Sequence, residues 1–370
     1  MSNITGQAFV SIDQGAYASA DPNLTYTRIN LGLDIDIQQN ADIFELGHYE
    51  REGEEAGSSD ILIKDYAMGY IYDEAYFQRN PKAPRQFKED GSAYTQGEIV
   101  PFHITDPFIE FAYDETTQEP IGVRIGYGEA KGVISGEPQY LTGNINVNIV
   151  DHGEGMKGQE TNGTLSDQLI VLLTPLLEGS SPISTKAQLV QGDPDKPDYG
   201  EPDPIRGEYL GVPNGENFVL KDAGGFTRWS LLTLLGPGSS SNITLPGCSF
   251  FNCPKGDIIV ETQNCRNLGI QTCFPLQQYQ GFAVGEIGEV NGKRAITDSV
   301  AGMFLSFQTR DMDWLKDVRT QSPTAEDFVR ASSGAFFNIP NGAVEVNLNE
   351  AIHGVEGARR EFIDRGVGLF

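Results

Sequence analysis

Apolar and polar residues alternate over many short stretches of this chain, and the alternation predicts β-strands. In the N-terminal stretch Ile4, Gly6, Ala8, Val10 and Ile12 share one face of an extended strand. Similar runs follow, with turns between them, at intervals of roughly ten residues. Such regularly spaced short strands are typical of all-β proteins. We therefore predict a mainly β fold, a β-sandwich or a β-solenoid-like stack, with a few short helices and a disulfide-stapled insertion.

The same pattern locates the individual elements. Leucines at helical spacing predict a buried helix over 162–177. Residues 80–97 and the uncharged stretch 229–254 are predicted to be loops, because glycine, proline and serine interrupt them. Short helices are predicted at 313–319, 323–331 and 350–365. Further strands are predicted at 31–37, 61–63, 108–113, 122–127, 133–135, 145–149, 282–290, 302–309 and 343–348.

Three consecutive regions follow from these elements. Residues 1–191 form a β-rich N-terminal region with one buried helix near its end. Residues 192–204 carry four prolines and five acidic residues, a composition typical of a linker or a rigid extended loop. Residues 205–370 form a C-terminal region with strands, short helices and a cysteine-rich insertion at 248–273.

The cysteines indicate the redox compartment. All four, Cys248, Cys253, Cys265 and Cys273, lie within one stretch rich in glycine, serine and asparagine. No pair has the C-x-x-C spacing and none of the four histidines is nearby, so a zinc site is disfavoured. Two local disulfides of open connectivity are the preferred interpretation, with buried free thiols as the alternative. Disulfides favour a mature secreted or bacterial surface protein.

Charge and hydropathy narrow the list of partners. The 370 residues include 26 Lys and Arg against 52 Asp and Glu, a formal net charge of -26. Such a chain repels phosphate backbones, so a nucleic-acid partner is not expected. No apolar stretch approaches the ~20 residues of a membrane-spanning helix. Residues 1–13 lack the basic and apolar regions of a signal peptide, and we expect that any such peptide was removed before Met1.

An acidic loop offers a possible cation site. Asp193, Asp195, Asp198 and Asp203 lie close together in sequence, and hard carboxylate oxygens are the ligands that calcium prefers. The spacing differs from that of an EF-hand, because prolines interrupt it. A solvated acidic loop without a metal is the competing interpretation.

The sequence assigns no catalytic residue. It contains no G-x-S-x-G motif, and its histidines are scattered singly. Paired carboxylates such as Asp34 and Asp36 could serve a glycoside hydrolase. In a chain with 52 acidic residues such pairs arise by chance, and a solvated strand face is the preferred interpretation of this one.

Three stretches resemble a group of secreted bacterial proteins with an N-terminal TGQA motif. They are residues 4–8 (ITGQA), residues 107–114 with 122–128 (PFIEFAYD and GVRIGYG), and residues 360–370 (REFIDRGVGLF). Some members of that group are described as pilus-assembly proteins of the Fil type. The resemblance implies export and a role at the cell surface or in a filament, and it carries no catalytic residues.

The leading functional hypothesis is a subunit of an extracellular, pilus-like filament. Its N-terminal strand, residues 4–12, would add to the open sheet edge of a neighbouring copy. Its partners would then be copies of itself and other surface proteins. The alternative is a secreted adhesin or a calcium-dependent carbohydrate-binding module, and a carboxylate-based glycoside hydrolase is the third. For the binding module the surface would be Tyr66, Tyr70, Tyr72, Tyr76 and Phe77, although core packing explains the same residues.

Overall fold

The computed structural model describes residues 10–17, 21, 23–48, 57–151, 183–235, 242–267 and 270–358. This part of the chain is mainly β, with short helices and two disulfides, as the sequence predicts. The predicted helix at 162–177 lies outside the described residues. Among the described residues, no helix is long and apolar enough to cross a bilayer.

Up to residue 235 the structure describes fourteen strands and two helices in the following order. They are β1 (Val10–Gly15), β2 (Leu24–Leu31), β3 (Asp34–Ile37), β4 (Gln39–Leu46), β5 (Ile61–Met68), β6 (Tyr70–Ile71), α1 (Glu74–Arg79), β7 (Ile99–Val100), β8 (Phe102–Asp114), β9 (Pro120–Tyr140), β10 (Gly143–Ile145), β11 (Val147–Asp151), β12 (Ile183–Val190), β13 (Tyr209–Gly211), β14 (Asn217–Ala223) and α2 (Gly225–Leu235).

The remaining elements complete the sheets, with 3-10 turns at Leu276–Gln278 and Ala325–Asp327. They are β15 (Ile243–Thr244), β16 (Gly256–Glu261), β17 (Arg266–Asn267), β18 (Ile270–Gln271), β19 (Cys273–Pro275), β20 (Gly281–Val284), β21 (Glu286–Val290), β22 (Lys293–Asp298), β23 (Phe304–Gln308), β24 (Met312–Leu315), β25 (Phe328–Ala331), β26 (Gly334–Ile339), β27 (Glu345–Val346) and α3 (Leu348–His353).

The described residues form two compact units assembled from non-consecutive segments. The first unit draws on Met1–Ile145, Tyr279–Val344 and Glu356–Phe370, and the second on Asn146–Gln278 and Glu345–Val355. The sequence-based division at 192–204 is consecutive instead, and residues 192–204 lie within the second unit.

The first unit is built on an eleven-stranded sheet organised around β9. The main path runs β1-β2-β8-β9-β23-β26-β10. The N-terminal half of β9 pairs with β8 and β23, and its C-terminal half pairs with β5 and β20. A tight turn joins β8 to β9, because the Asp114 carboxylate accepts hydrogen bonds from the backbone N–H groups of Thr116 and Thr117.

The core of this unit contains a large aromatic cluster beside β2. Tyr26, Phe304 and Trp314 are almost completely buried in it. The Tyr26 hydroxyl donates to the carbonyl of Asp313 at 2.7 Å, and burial raises the pKa of Tyr26. A second core cluster surrounds α1, with Tyr70 and Phe77 at its centre.

The second unit contains an eight-stranded sheet whose main path is β15-β16-β14-β12-β11-β27. Short strands β13 and β19 extend it beside β12. Inward residues alternate regularly along β12, where Ile183, Thr185, Ala187 and Leu189 are buried. This alternation is the pattern expected of a strand with one face on a core.

Two predicted short helices are wrong. Residues 312–315 form strand β24, because Met312 and Trp314 pack into the core while their backbone pairs with β25. The predicted helix at 323–331 is a single 3-10 turn, capped by Thr324 and Asp327, followed by β25. In both cases strand pairing overrides weak local helix propensity.

The opposite error concerns α2. Residues 229–235 are helical rather than part of a loop. Apolar residues surround this helix on several sides, since Leu231 is fully buried whereas Phe226 and Trp229 are exposed. A helix without one apolar face lacks the periodic signal on which sequence reasoning depends.

Candidate functional site

Strand β1 forms one edge of the eleven-stranded sheet of the first unit. It pairs with β2 in antiparallel register over six residues, from Val10 opposite Leu31 to Gly15 opposite Tyr26. None of the described strands pairs with its other side. Alternate backbone N–H and C=O groups on that side therefore face outward, as in any edge strand.

All six residues of β1 are exposed. Val10 retains 45% and Ile12 67% of its accessible surface. Edge strands in soluble proteins are usually protected by lysine, proline, a bulge or a covering segment. Strand β1 contains neither lysine nor proline, and its pairing with β2 has no register shift. Among the described strands, β1 is therefore open on one side to pairing with another strand.

A polar contact holds β1 to its neighbour. The Asp13 carboxylate accepts hydrogen bonds from Asn30 Nδ2 at 2.7 Å and from Arg28 Nη2 at 3.0 Å. These two bonds, that of Asn30 first, hold the pKa of Asp13 below its usual value. The same arginine also forms an ion pair with Glu110, with Arg28 Nη1 and Glu110 Oε1 3.6 Å apart.

The chain is anchored directly after β1. Tyr17 packs against Tyr26 and Phe328, with ring centroids 5.1 and 5.6 Å apart. Burial raises the pKa of the Tyr17 hydroxyl. The edge strand therefore ends beside a side chain that packs against the core.

Strand β4 is a second free edge of the same sheet. It pairs with β5 and with no other described strand. Its Ile43 is 61% exposed, close to the value for Ile12. Strands β1 and β4 are thus two edges of different sequence, each unpaired on one side among the described strands.

The predicted assembly strand coincides with β1 only at its C-terminal end. Val10 and Ile12 lie on β1, as predicted, whereas Ile4, Gly6 and Ala8 lie outside the described residues. Over residues 10–15 the strand pairs with β2 of its own chain.

The four cysteines form two local disulfides, Cys248–Cys253 and Cys265–Cys273. The sequence predicted disulfides and left their pairing open. Cys265 and Cys273 are buried beside Val190. Cys248 and Cys253 are half-buried and close a six-residue loop between β15 and β16.

The structure does not gather the four aspartates of the predicted calcium loop. Within the described ranges, no three acidic, histidine or cysteine side chains are arranged to hold a metal ion. The Asp193 carboxylate instead accepts the backbone N–H of Asp195 at 3.0 Å. Calcium binding by this loop stays a prediction.

The tyrosine cluster predicted as a binding surface is core. Tyr70, Tyr72, Tyr76 and Phe77 are each at most 8% exposed, and they pack around α1. Tyr66 stacks on Phe44 at 4.6 Å. Tyr66 and Tyr70 lie on strands and Phe77 on α1, so their helical spacing does not mark one helix.

The carboxylates Asp34 and Asp36 lie on the exposed face of β3. Asp36 is paired with His103, with Nδ1 and Oδ1 3.0 Å apart. The two carboxylates therefore lie on a solvated strand face.

Sequence reasoning missed an exposed aromatic group on the second unit, which we call the aromatic knob. It consists of Phe226 and Trp229 of α2 with Phe250 and Phe251 of the loop closed by Cys248–Cys253. The available signal was an uncharged stretch, residues 229–254, in a strongly acidic chain, with two consecutive phenylalanines between cysteines.

Comparisons of the chain with protein-family models, with curated protein sequences and with solved structures gave no match.

Proposed function

We propose that this protein is an extracellular structural subunit that assembles with copies of itself by strand addition. The observation that carries the proposal is the edge strand β1, which is exposed on both faces and unpaired on one side among the described strands. Backbone hydrogen bonds along such an edge give affinity, and alternate side chains give register.

The two disulfides support an extracellular setting. Disulfides persist in oxidising compartments and are rare in the cytosol. The resemblance to the secreted TGQA group, some of whose members are described as pilus-assembly proteins, points to the same compartment.

The second free edge determines what kind of assembly is expected. If β1 of one copy paired with β1 of another, the contact would be isologous and would close as a dimer. If β1 paired with β4 of the next copy, the contact would be heterologous and would leave a free edge at each end. A filament requires the second arrangement, and we propose that β4 receives β1.

The experiment compares one edge substitution with a matched central one. Ile12→Lys places a charge on the exposed edge strand, where lysine opposes edge-to-edge pairing. Ile125→Lys places the same charge on β9, where Ile125 is 48% exposed but both strand edges are occupied by β8 and β23. Light scattering and negative-stain electron microscopy measure the size of the assemblies.

We expect the unmodified protein and Ile125→Lys to form elongated polymers and Ile12→Lys to remain monomeric. Ile43→Lys, on β4, should block polymer growth as Ile12→Lys does. A discrete dimer would contradict the heterologous contact. Monomers of the unmodified protein at every soluble concentration would overturn strand-addition assembly altogether.

A further inference from the structure

The aromatic knob is a protrusion rather than a groove. Phe251 retains 97%, Phe226 81% and Phe250 61% of its accessible surface, and Trp229 retains 39%. Phe226 and Trp229 are three residues apart on α2 and therefore share one helix face. Exposed aromatic clusters of this kind mark surfaces that bind something apolar.

A buried arginine fixes the knob's loop to its helix. Arg228 has no exposed surface, and it donates to the carbonyls of Pro246 and Pro254, at 2.5 Å each. These prolines flank the disulfide loop on its two sides. A side chain at Gly256 would collide with the Arg228 guanidinium, so the glycine leaves room for these two hydrogen bonds.

The loop is also fixed internally. The disulfide Cys248–Cys253 closes it, and Trp229 Nε1–H donates to the Phe250 carbonyl at 3.1 Å. The N–H of Ser249 donates to Asn252 O at 2.7 Å, and the N–H of Asn252 returns to Ser249 O at 3.2 Å. The exposed phenylalanines are therefore presented by a preorganised scaffold, which lowers the entropy cost of binding.

Ring geometry argues against a flat ligand. The Trp229 and Phe250 rings are inclined by 51°, and the Phe250 and Phe251 rings by 83°. A sugar ring stacks on a flat aromatic face, and rings inclined to this degree form no common platform. Their convex arrangement suits insertion into a soft apolar medium.

The distribution of charge indicates which kind of apolar environment the knob enters. Residues 229–254 contain no charged side chain, so burying the knob's loop removes no ionised group from water. Several backbone groups of the loop are bonded within the protein, which a lipid environment demands. The chain has a formal net charge of -26, so anionic headgroups repel it.

We propose that the aromatic knob inserts into the interfacial region of a phospholipid bilayer whose headgroups are zwitterionic. Phe250 and Phe251 enter the headgroup–acyl boundary, and Trp229 lies at its outer rim, where indole rings are favoured. The binding is peripheral and reversible. It does not depend on strand addition at β1, which lies on the other unit.

Tryptophan fluorescence tests the proposal directly. The chain has two tryptophans, of which Trp314 is fully buried and Trp229 is partly exposed in the knob. We expect phosphatidylcholine vesicles to shift the Trp229 emission to shorter wavelength and brominated phosphatidylcholine to quench it. Phosphatidylserine in the vesicles should weaken binding at low salt.

Matched variants assign the effect to the knob. Phe251→Ser should weaken partition into phosphatidylcholine vesicles by at least about tenfold, because one phenylalanine no longer leaves water. Ile125→Ser removes an apolar residue that is 48% exposed on β9 of the first unit, away from the proposed assembly edges, and should leave binding unchanged. Ile12→Lys, which tests assembly, should also bind vesicles normally, so failure of one proposal is separable from failure of the other.

Three results would overturn the proposal. One is an emission spectrum and sedimentation behaviour unaffected by vesicles. Another is a blue shift that rises with protein concentration in the absence of lipid, which would assign the knob to a second copy. The third is a shift produced by soluble oligosaccharides alone, which would make it a sugar site.

Discussion

Arg124 is a fully buried cation in the core of the first unit. Its Nε donates to Glu110 Oε2 and its Nη1 to the Leu315 carbonyl, both at 2.6 Å. Its guanidinium lies 4.8 Å from the Phe304 ring centroid and 4.9 Å from that of Trp314. The arginine thus joins β8, β9 and β24 at one point.

Substituting this arginine alone should be severe. Arg124→Met leaves the Glu110 carboxylate buried, and among the described residues its remaining ion-pair partner is Arg28, whose Nη1 lies 3.6 Å from Glu110 Oε1. We expect the free energy of unfolding to fall by about 3–5 kcal/mol, measured by urea denaturation.

The double variant is the control for that experiment. Arg124→Met combined with Glu110→Leu removes both charges, and it should be less destabilised than Arg124→Met alone. Equal losses in the two variants would show that aromatic packing, rather than the unpaired carboxylate, accounts for the effect.

At the scale of elements, the two disulfides differ in burial. Cys265 and Cys273 are 0% and 3% exposed, whereas Cys248 and Cys253 are half-buried in a surface loop. Access by a thiolate controls the rate of exchange. We expect limiting dithiothreitol to reduce Cys248–Cys253 first, detected by alkylation and peptide mass spectrometry.

Loss of the outer disulfide should have a local effect. Closing a loop of this size contributes about 2 kcal/mol in the chain-entropy model. Cys248→Ser with Cys253→Ser should therefore lower stability modestly and weaken vesicle binding by the knob. The matched pair Cys265→Ala with Cys273→Ala should destabilise the second unit and leave β1-dependent assembly unchanged; disassembly in that variant would contradict the independence of the two surfaces.

Strand β1 shows how an edge element can change at little cost. The side chains of Val10 and Ile12 are exposed, so substituting them should change the free energy of unfolding by less than about 0.5 kcal/mol. Tyr17 retains its core position in such variants. Loss of assembly in Ile12→Lys with unchanged urea denaturation would therefore report on the edge itself.

At the scale of the molecule, two opposing effects set the dependence of stability on pH. Asp13, Asp114 and Glu356 have pKa values lowered by hydrogen bonds and ion pairs. The unfolded carboxyls titrate near 3.8 for aspartate and 4.5 for glutamate. Their stabilisation is complete above these values and is lost as the pH falls through the lower native ones.

The net charge has the opposite effect on stability as the pH falls. The repulsion among the excess acidic groups weakens as the pH falls towards the pI of about 4.4. The urea midpoint should therefore rise or stay level from pH 7 to about pH 5 and fall below about pH 4. Molar salt should reduce the change in urea midpoint between pH 7 and about pH 5, because it screens the repulsion among the acidic groups. A midpoint that falls steadily from pH 7 would contradict this balance.

The sequence by itself determined the class of this fold and the presence of disulfides. Alternating stretches such as residues 108–113 and 122–127 are strands because period two matches the pleat whatever the neighbours are. Clustered cysteines predicted disulfides, and proximity in sequence made local pairing easy to satisfy. The alternation also placed Val10 and Ile12 on a strand, β1.

Only the tertiary structure decided which strands meet and which faces remain exposed. The predicted strands at 122–127 and 133–135 are one strand, β9, because partners on both sides extend it. Residues 312–315 became a strand through pairing with β25. Tyr70 and Phe77 became core while Phe251 became surface, although all are aromatic. Local pattern encodes backbone conformation, whereas burial depends on contacts between residues distant in sequence.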